Sequence, residues 1–334
     1  MKHQKQPFSS LKLALITDDL TRVCLAHECR VMNVTPWNYR AVFKLWKPDI
    51  LFVESAWEGR WGSWKYGIAA YPDHPERNNA MLARVVAAAR DAHIPTIFWN
   101  REDGAHFKRF IASARLFDHV FSVDENMIPH YRAALGEGAR VEVMMFAAQP
   151  AIHSPADTEP LHRAAFVGSY SRHIHPHRRN WQDMVFMAAD SVGVTVYDRN
   201  SNRRPDTYRY PEYPWIEVKK TIAYNRTGKV YNTHAVNLNV NTVTDSTTAF
   251  SRRLVEILAC GGFVLTNPTP AVTRFFRDYC ATTESGEEAR AVFTPIAKDG
   301  LSHRQREQGR AAAAYVLRHH TWRNRLQQIT GITP

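Results

Sequence analysis

Three charged side chains pose the first chemical question. Arg252, Arg253 and Glu256 follow a polar run, TDSTT, from Thr244 to Thr248. Arg252 and Glu256 stand four residues apart, so a helix would put them on one face, with Arg253 on its flank. On a solvated face such a pair contributes about 0.2–0.5 kcal/mol and means little. At a helix start beside a sheet edge the same residues have another use. Guanidinium groups, helix-start amides and hydroxyls would hold a nucleotide diphosphate, while Glu256 accepts ribose hydroxyls.

A second group lies in the first half. The stretch NREDGAHF gathers Glu102, Asp103 and His106 behind an apolar run. A histidine or carboxylate there could take the proton of an attacking hydroxyl. The alternative is a helix cap by Asp103 with His106 in the first turn. Glu58 sits in a loop, Glu54 to Gly67, that also carries Trp57, Trp61 and Trp64. These indoles either stack on a sugar ring or pin the loop to its domain, packing being the commoner fate. Asp124 and Glu125 read as the cap of the next helix. His173, His175 and His177 alternate in a cationic stretch with no carboxylate or cysteine beside them. Phosphate attraction or solvated charge is expected there, and no metal.

The elements that must carry these groups alternate between strand and helix. From Ala235 to Asn267 the chain reads as strand, polar loop, helix, glycine stop and strand. Val236, Leu238, Val240 and Val243 suit the first strand. Thr247 or Thr248 would cap the helix, and Phe250, Leu254, Ile257 and Leu258 form its apolar face. Gly261 and Gly262 end it before FVLT. In the first half, LKLALIT, DILFVES, IPTIFWN, DHVFSVD and VEVMMF read as strands. Helices are expected over 37–46, over NNAMLARVVAAARDAHI, FKRFIASARLF and NMIPHYRAAL. The second half opens with the strand AAFV and a turn at Gly168, followed by a helix near Trp181–Ala189 and the strand GVTVYDR. A long aperiodic loop is expected from Asn200 to Trp215. Val272–Tyr279, Glu287–Ile296 and the basic tail after Ser302 complete the pattern. Such alternation predicts parallel, doubly wound sheets. No GxGxxG follows the first strand, so no dinucleotide cofactor is indicated there.

The segment FSRRLVEILACGGFVLT resembles the donor-binding helix of group-1 glycosyltransferases, in the branch of the CgeB-like spore-maturation proteins. LFVESAW, PTIFWNREDGAHF, DHVFSVDENMIPHY and FAAQPAIH resemble segments of the same branch, and the matches cover most of the chain in order. The resemblance implies the GT-B fold: two Rossmann-like, doubly wound domains with a nucleotide sugar bound in the cleft between them, and C-terminal helices crossing back. It maps the ribose-holding glutamate onto Glu256. By position in such a fold, Gly168, Ser169, Tyr170 and Arg172 lie beside the donor phosphates. Asp245, Thr248, Phe250, Ser251, Arg252 and Arg253 complete the donor site. The chain departs from many retaining relatives, which carry a second glutamate eight positions earlier; here that position is Thr248, with Asp245 the nearest acid. Retention and inversion therefore both stay open. An inverting enzyme would use His106, or Glu102, Asp103 or Glu58, as base. A retaining one would need none, with Asp245 orienting the donor.

Bulk properties bound the rest. The 334 residues, 44% hydrophobic, suffice for two cores. The divisions expected are 1–150 for an acceptor-side domain, a polar, proline-punctuated linker over 150–160, 160–310 for a nucleotide-sugar domain, and 311–334 for helices packing back. No apolar run approaches the roughly 20 residues of a membrane span. The start, MKHQKQPFSS, is basic and lacks a signal peptide's apolar segment. Four cysteines without metal spacing suggest thiols in a reducing cytoplasm. A formal charge of +11 implies an anionic partner: donor, acidic glycan, nucleic acid or an anionic surface touched peripherally. The expected function is metal-independent transfer of a sugar from a UDP- or GDP-type donor to a hydroxyl of a glycan, small molecule or nucleic acid. The rivals are a nucleic-acid-modifying or nucleic-acid-binding protein and a non-catalytic nucleotide-sugar-binding protein.

Overall fold

The computed structural model describes residues 7–203 and 205–331. The basic start up to Gln6 lies outside them, as does Arg204 in the loop after Asn200. The chain forms two compact units, Met1–Phe146 with Trp322–Pro334, and Ala147–Thr321.

The first unit is built on six strands: β1 (Lys12–Ile16), β2 (Arg30–Asn33), β3 (Ile50–Glu54), β4 (Thr96–Asn100), β5 (His119–Ser122) and β6 (Val141–Val143). They pair in parallel in the order β2-β1-β3-β4-β5-β6. β3 and β4 are buried along their whole length, which is why they read as continuous apolar runs. Between them run α1 (Asp19–Leu25), α2 (Tyr39–Ala41) continuing into a π turn (Val42–Trp46), α3 (Ala80–Asp91), α4 (Phe107–Ala114) and α5 (Ile128–Leu135). In α3, Leu82, Val85, Val86 and Ala89 face the core at helical spacing. Pro129 is harmless because it falls in the first turn of α5, where its missing N–H has no partner to lose. β2 escaped the sequence reading: its four residues have no buried face.

The second unit holds β7 (Leu161–Gly168), β8 (Val194–Asp198), β9 (Ile216–Lys220), β10 (His234–Leu238), β11 (Phe263–Thr266) and β12 (Ala281–Thr282). These too are parallel, in the order β12-β11-β10-β7-β8-β9. Its helices are α6 (Pro176–Ala188), α7 (Thr227–Thr233), α8 (Arg252–Ala259), α9 (Pro270–Phe276), α10 (Gly286–Asp299) and α11 (His303–His319). α11 lies against α8, and Gly309 makes the approach possible: a Cβ there would sit 2.2 Å from the Gly261 carbonyl oxygen. Gly261, at φ +72°, ends α8 in the left-handed region as the sequence suggested.

The last helix, α12 (Trp322–Gly331), belongs to the first unit. Trp322 meets Trp99 edge to face at 5.6 Å. Arg325 donates from Nε to the Met145 carbonyl at 2.7 Å and from Nη2 to that of Phe146 at 3.0 Å. The closing helices thus part company, α11 remaining with the second unit. The stretch from Pro150 to Pro160 is fastened to the second unit as well, through His153 Nε2 on Thr227 Oγ1 at 2.9 Å and Ala156 N on Asn232 Oδ1 at 3.0 Å. Among the described residues no helix is long and apolar enough to cross a membrane.

Candidate active site

In the second unit the strand order reverses between β7 and β10, the place where open α/β sheets take ligands. Arg253, in the first turn of α8, reaches across that point. Its Nε donates to the Val167 carbonyl at 2.7 Å, its Nη1 lies 3.4 Å from Asn239 Oδ1, and its guanidinium sits 4.5 Å over the Phe166 ring. Gly168 is glycine because of this approach. A Cβ there would fall 2.6 Å from the Phe166 ring and 2.9 Å from Arg253 Nη2. Next to it stands Arg178, whose Nη2 donates to the Ser169 carbonyl at 3.0 Å while its buried Nε has no partner. Burial, with the Arg178 guanidinium nearby, pulls Arg253 down to about 10. Arg178 is lowered in turn, by burial and despite the Tyr210 phenol.

The start of α8 differs from the expectation. The N-cap is Ser251, in extended conformation, and Thr247 and Thr248 precede the helix. Asn241 sets this boundary by accepting from Ser251 N at 2.7 Å. It is held by Asn267 Oδ1 on its own N–H at 2.7 Å and by Thr266 Oγ1 at 3.2 Å. Phe250 is drawn out of the helical register to pack edge-on against Phe276 at 5.0 Å, so it does not extend the helix's apolar face. Thr248 is buried beneath the loop, its N–H donating to Ser246 Oγ at 3.2 Å, whereas Asp245 is exposed.

Glu256 is no surface residue. It is 3% exposed, and its Oε1 accepts from Tyr224 Oη at 2.6 Å and Arg252 Nε at 3.1 Å. Oε2 lies at a long 3.5 Å from Tyr231 Oη. Arg252 also lies 5.5 Å over the Tyr224 ring. The reading of Arg252 and Glu256 as a solvated pair is therefore wrong: α8 turns this face toward α7 and the turn before it. Sequence reasoning missed Tyr224, which sits in an aperiodic turn.

The other donor-side candidates are dispersed. Tyr170 is 4% exposed and points into the core, donating to Asp183 Oδ1 at 2.7 Å beside Tyr210. It is a packing residue. Arg172 is exposed, and its carbonyl accepts from Arg179 Nη1 at 2.7 Å. Between the loop after β7 and the loop after β8 lies a cavity of about 220 Å³ lined by Ser169, His175, Arg178, Arg179, Arg203 and Tyr208 among others, with no acidic residue. The alternating histidines do not converge, and among the described residues no cluster of three His, Cys, Asp or Glu side chains could hold a metal ion.

In the first unit the candidate carboxylates separate by burial. Asp103 faces inward, 2% exposed, and accepts from Asn100 Nδ2 at 2.6 Å, Ser122 Oγ at 2.7 Å and Tyr131 Oη at 2.9 Å. Burial outweighs these donors and pushes it up to about 7. It ties the ends of β4 and β5 to α5, so it is a lock and not an open base. His106 is the N-cap residue of α4, and its ring meets Trp57 edge to face at 5.3 Å. Glu102 is half-buried and Glu58 exposed. A further network, unforeseen, joins the ends of β1, β3 and β4. Buried Glu54 accepts from Asp18 N at 2.7 Å and Thr21 Oγ1 at 2.5 Å, and Arg101 pairs with both Asp18 and Glu54. Burial raises the Glu54 pKa and Arg101 opposes it.

Known proteins resemble this chain in two ways. Residues 170–331 match the family described as "Glycosyl transferase-like". The whole chain resembles solved structures at low identity. Sucrose-phosphate synthase from Thermosynechococcus elongatus superposes with TM-score 0.58 at 9% identity, over 96% of this chain and 98% of that one. Anabaena HepE, solved with UDP and glucose, gives 0.54 at 12%, over 96% and 98%. The T4 phage protein BGT, solved with UDP and Mn2+, gives 0.51 at 14%, over 95% and 98%. No curated protein matches the chain in sequence. The fold is the two-domain GT-B arrangement. The family match over the second unit and that fold together support a glycosyltransferase.

Proposed function

We propose that the protein moves a sugar from a nucleoside diphosphate sugar, of the UDP or GDP type, to an acceptor hydroxyl, as a member of the CgeB-like branch. One observation carries this reading. Arg253 and Arg178 crowd the β7/β10 switch point, and Arg253's hydrogen bonds go to neutral oxygens. Two guanidinium groups brought together are costly in a folded chain, the Glu256 carboxylate only partly offsets them, and a diphosphate would supply further negative charge. The amides of the first turn of α8 point the same way and favour anions. Charge developing on the departing diphosphate would be met by these fixed groups, so no metal is required. Glu256, with lone pairs left on Oε2, takes the ribose, and Arg252 and Tyr224 hold it in place. Glu102, His106 or Glu58 of the first unit would take an acceptor's proton.

The test is a thermal-shift titration with UDP, GDP and their sugars, since a ligand selective for the folded chain raises its stability by mass action. The reading expects one nucleotide series to stabilise the wild type, Glu256→Ala to abolish the shift, and transfer to survive a chelator. A chain indifferent to every nucleotide sinks it, and activity lost to the chelator and restored by a divalent ion removes the metal-independent part.

A further inference from the structure

The tryptophans of the loop after β3 have different fates. Trp64 is 2% exposed and donates from Nε1 to the Val34 carbonyl at 2.8 Å. Trp57 packs against Phe110 at 5.1 Å. Trp61 is 77% exposed. The backbone is bent to display it: Gly59, Trp61, Gly62 and Tyr66 have φ of +64°, +57°, +71° and +65°. Tryptophan and tyrosine rarely adopt that region, and they persist there only where the surroundings impose it. The surroundings here are firm. Gly59 N donates to Asp18 Oδ1 at 3.1 Å, Trp64 N to the Glu58 carbonyl at 2.9 Å, and a Cβ on Gly59 would already meet Trp64 at 3.0 Å. The Arg60 guanidinium lies 4.0 Å over the Trp61 ring, with its Nε 3.6 Å from Asp19 Oδ1.

We infer that Trp61 is a stacking platform for a pyranose ring of a carbohydrate acceptor, with Arg60, Glu58 and Asp19 meeting ring hydroxyls. The inference rests on the transferase reading above and names the acceptor class for it. An aromatic face takes a sugar's C–H face or a nucleobase equally well, so the charges around it decide. The Glu58 and Asp19 side chains are 63% and 62% exposed, and each is matched by cations, Asp19 by Arg22 and Arg60 and Glu58 by Lys65. Paired carboxylates and cations accept from and donate to the hydroxyls of a ring, whereas a phosphodiester strand would compete with the carboxylates for the same cations. That rim suits a hydroxyl-rich ring better than a nucleic-acid strand.

The experiment follows the tryptophan indole N–H resonances of the ¹⁵N-labelled full chain, with the Trp61 resonance identified by its disappearance in Trp61→Ala. The probes are the methyl glycosides of glucose, galactose, mannose and N-acetylglucosamine, and a single-stranded oligonucleotide. At least one glycoside should shift the Trp61 resonance. Trp61→Phe should weaken that binding a few-fold, and Trp61→Ala, followed on the sugar signals, about tenfold or more. Four silent glycosides, or a response to the oligonucleotide alone, overturn the platform. Titrations with UDP and GDP on the same sample separate the two readings. Binding of either nucleotide with silent glycosides removes only the platform, and absent binding of both removes the transferase reading whatever the glycosides do.

Discussion

The Tyr224 hydroxyl lies 2.6 Å from Glu256 Oε1, inside a corner that Arg252 closes from the other side. Neither the family match nor the helical spacing of α8 reveals that contact, because Tyr224 comes from the turn ahead of α7. It leaves the carboxylate with two short contacts on Oε1 and a long one, from Tyr231, on Oε2.

Glu256→Gln should therefore separate binding from folding. The amide keeps the size and part of the hydrogen bonding, so stability should fall by no more than about 1–2 kcal/mol. Donor affinity should drop at least tenfold, about 1.4 kcal/mol, by calorimetric titration with the nucleotide that stabilises the wild type. Tyr224→Phe should show the reverse balance, with a larger loss of melting temperature than of affinity. Equal losses in both variants would mean that the corner is purely structural.

Arg253 invites a sharper test. Methionine matches its length without the charge that burial and Arg178 disfavour. Arg253→Met should leave thermal stability unchanged or slightly raised, because Glu256 only partly offsets the charge that desolvation and Arg178 disfavour. Nucleotide diphosphate binding should be lost. Gly168→Ala should impair the same binding, because its methyl group would displace the Arg253 guanidinium. An Arg253→Met protein that melts much earlier yet still binds would show that the guanidinium serves the fold alone.

Asp103 governs a pH effect. Its carboxyl is raised from 3.8 to about 7 in the folded chain, so the folded state holds the proton more tightly than the unfolded state does. The contribution is full below about pH 4 and is lost as pH rises through about 7, a swing of up to about 4 kcal/mol. Denaturant midpoints of the wild type should fall between about pH 4 and 8, to an extent set by the rise of that carboxyl from 3.8 to about 7. Asp103→Asn should remove that component of the slope, and parallel curves for the two proteins would refute the assignment.

Behind α8, Gly309→Ala would force a methyl group to within 2.2 Å of the Gly261 carbonyl. Backbone cannot yield as a side chain does, so a loss of about 1–3 kcal/mol or more is expected. Calorimetry should register it as a drop of several degrees, about 2–4 °C per kcal/mol in a domain of this size. No change would mean that α11 is free to move away from α8.

The sequence showed the strands whose burial is two-sided, such as ILFVE and FVLT, because a buried parallel strand must be apolar throughout. It hid β2 and β9, whose residues are half or fully exposed and carry no period. Arg252, Arg253 and Glu256 were legible as a group because helical spacing fixes their relation. Tyr224, Arg178 and Asn241 were not, since each joins the site by a tertiary contact from another element. Phe250 misled for a physical reason: apolar character at helical spacing favours a helix, but an aromatic cluster with Phe275 and Phe276 offered it more burial outside one.

The first unit is made from both ends of the chain, with Trp322 seated on Trp99 and Arg325 on the carbonyls of Met145 and Phe146. A ribosome delivers these residues after the second unit, so the sheet of the first unit must wait with that flank uncovered while the entire second unit is synthesised. Nascent chains halted before Trp322 should consequently be open to protease up to Phe146 and already resistant from Ala147 onward.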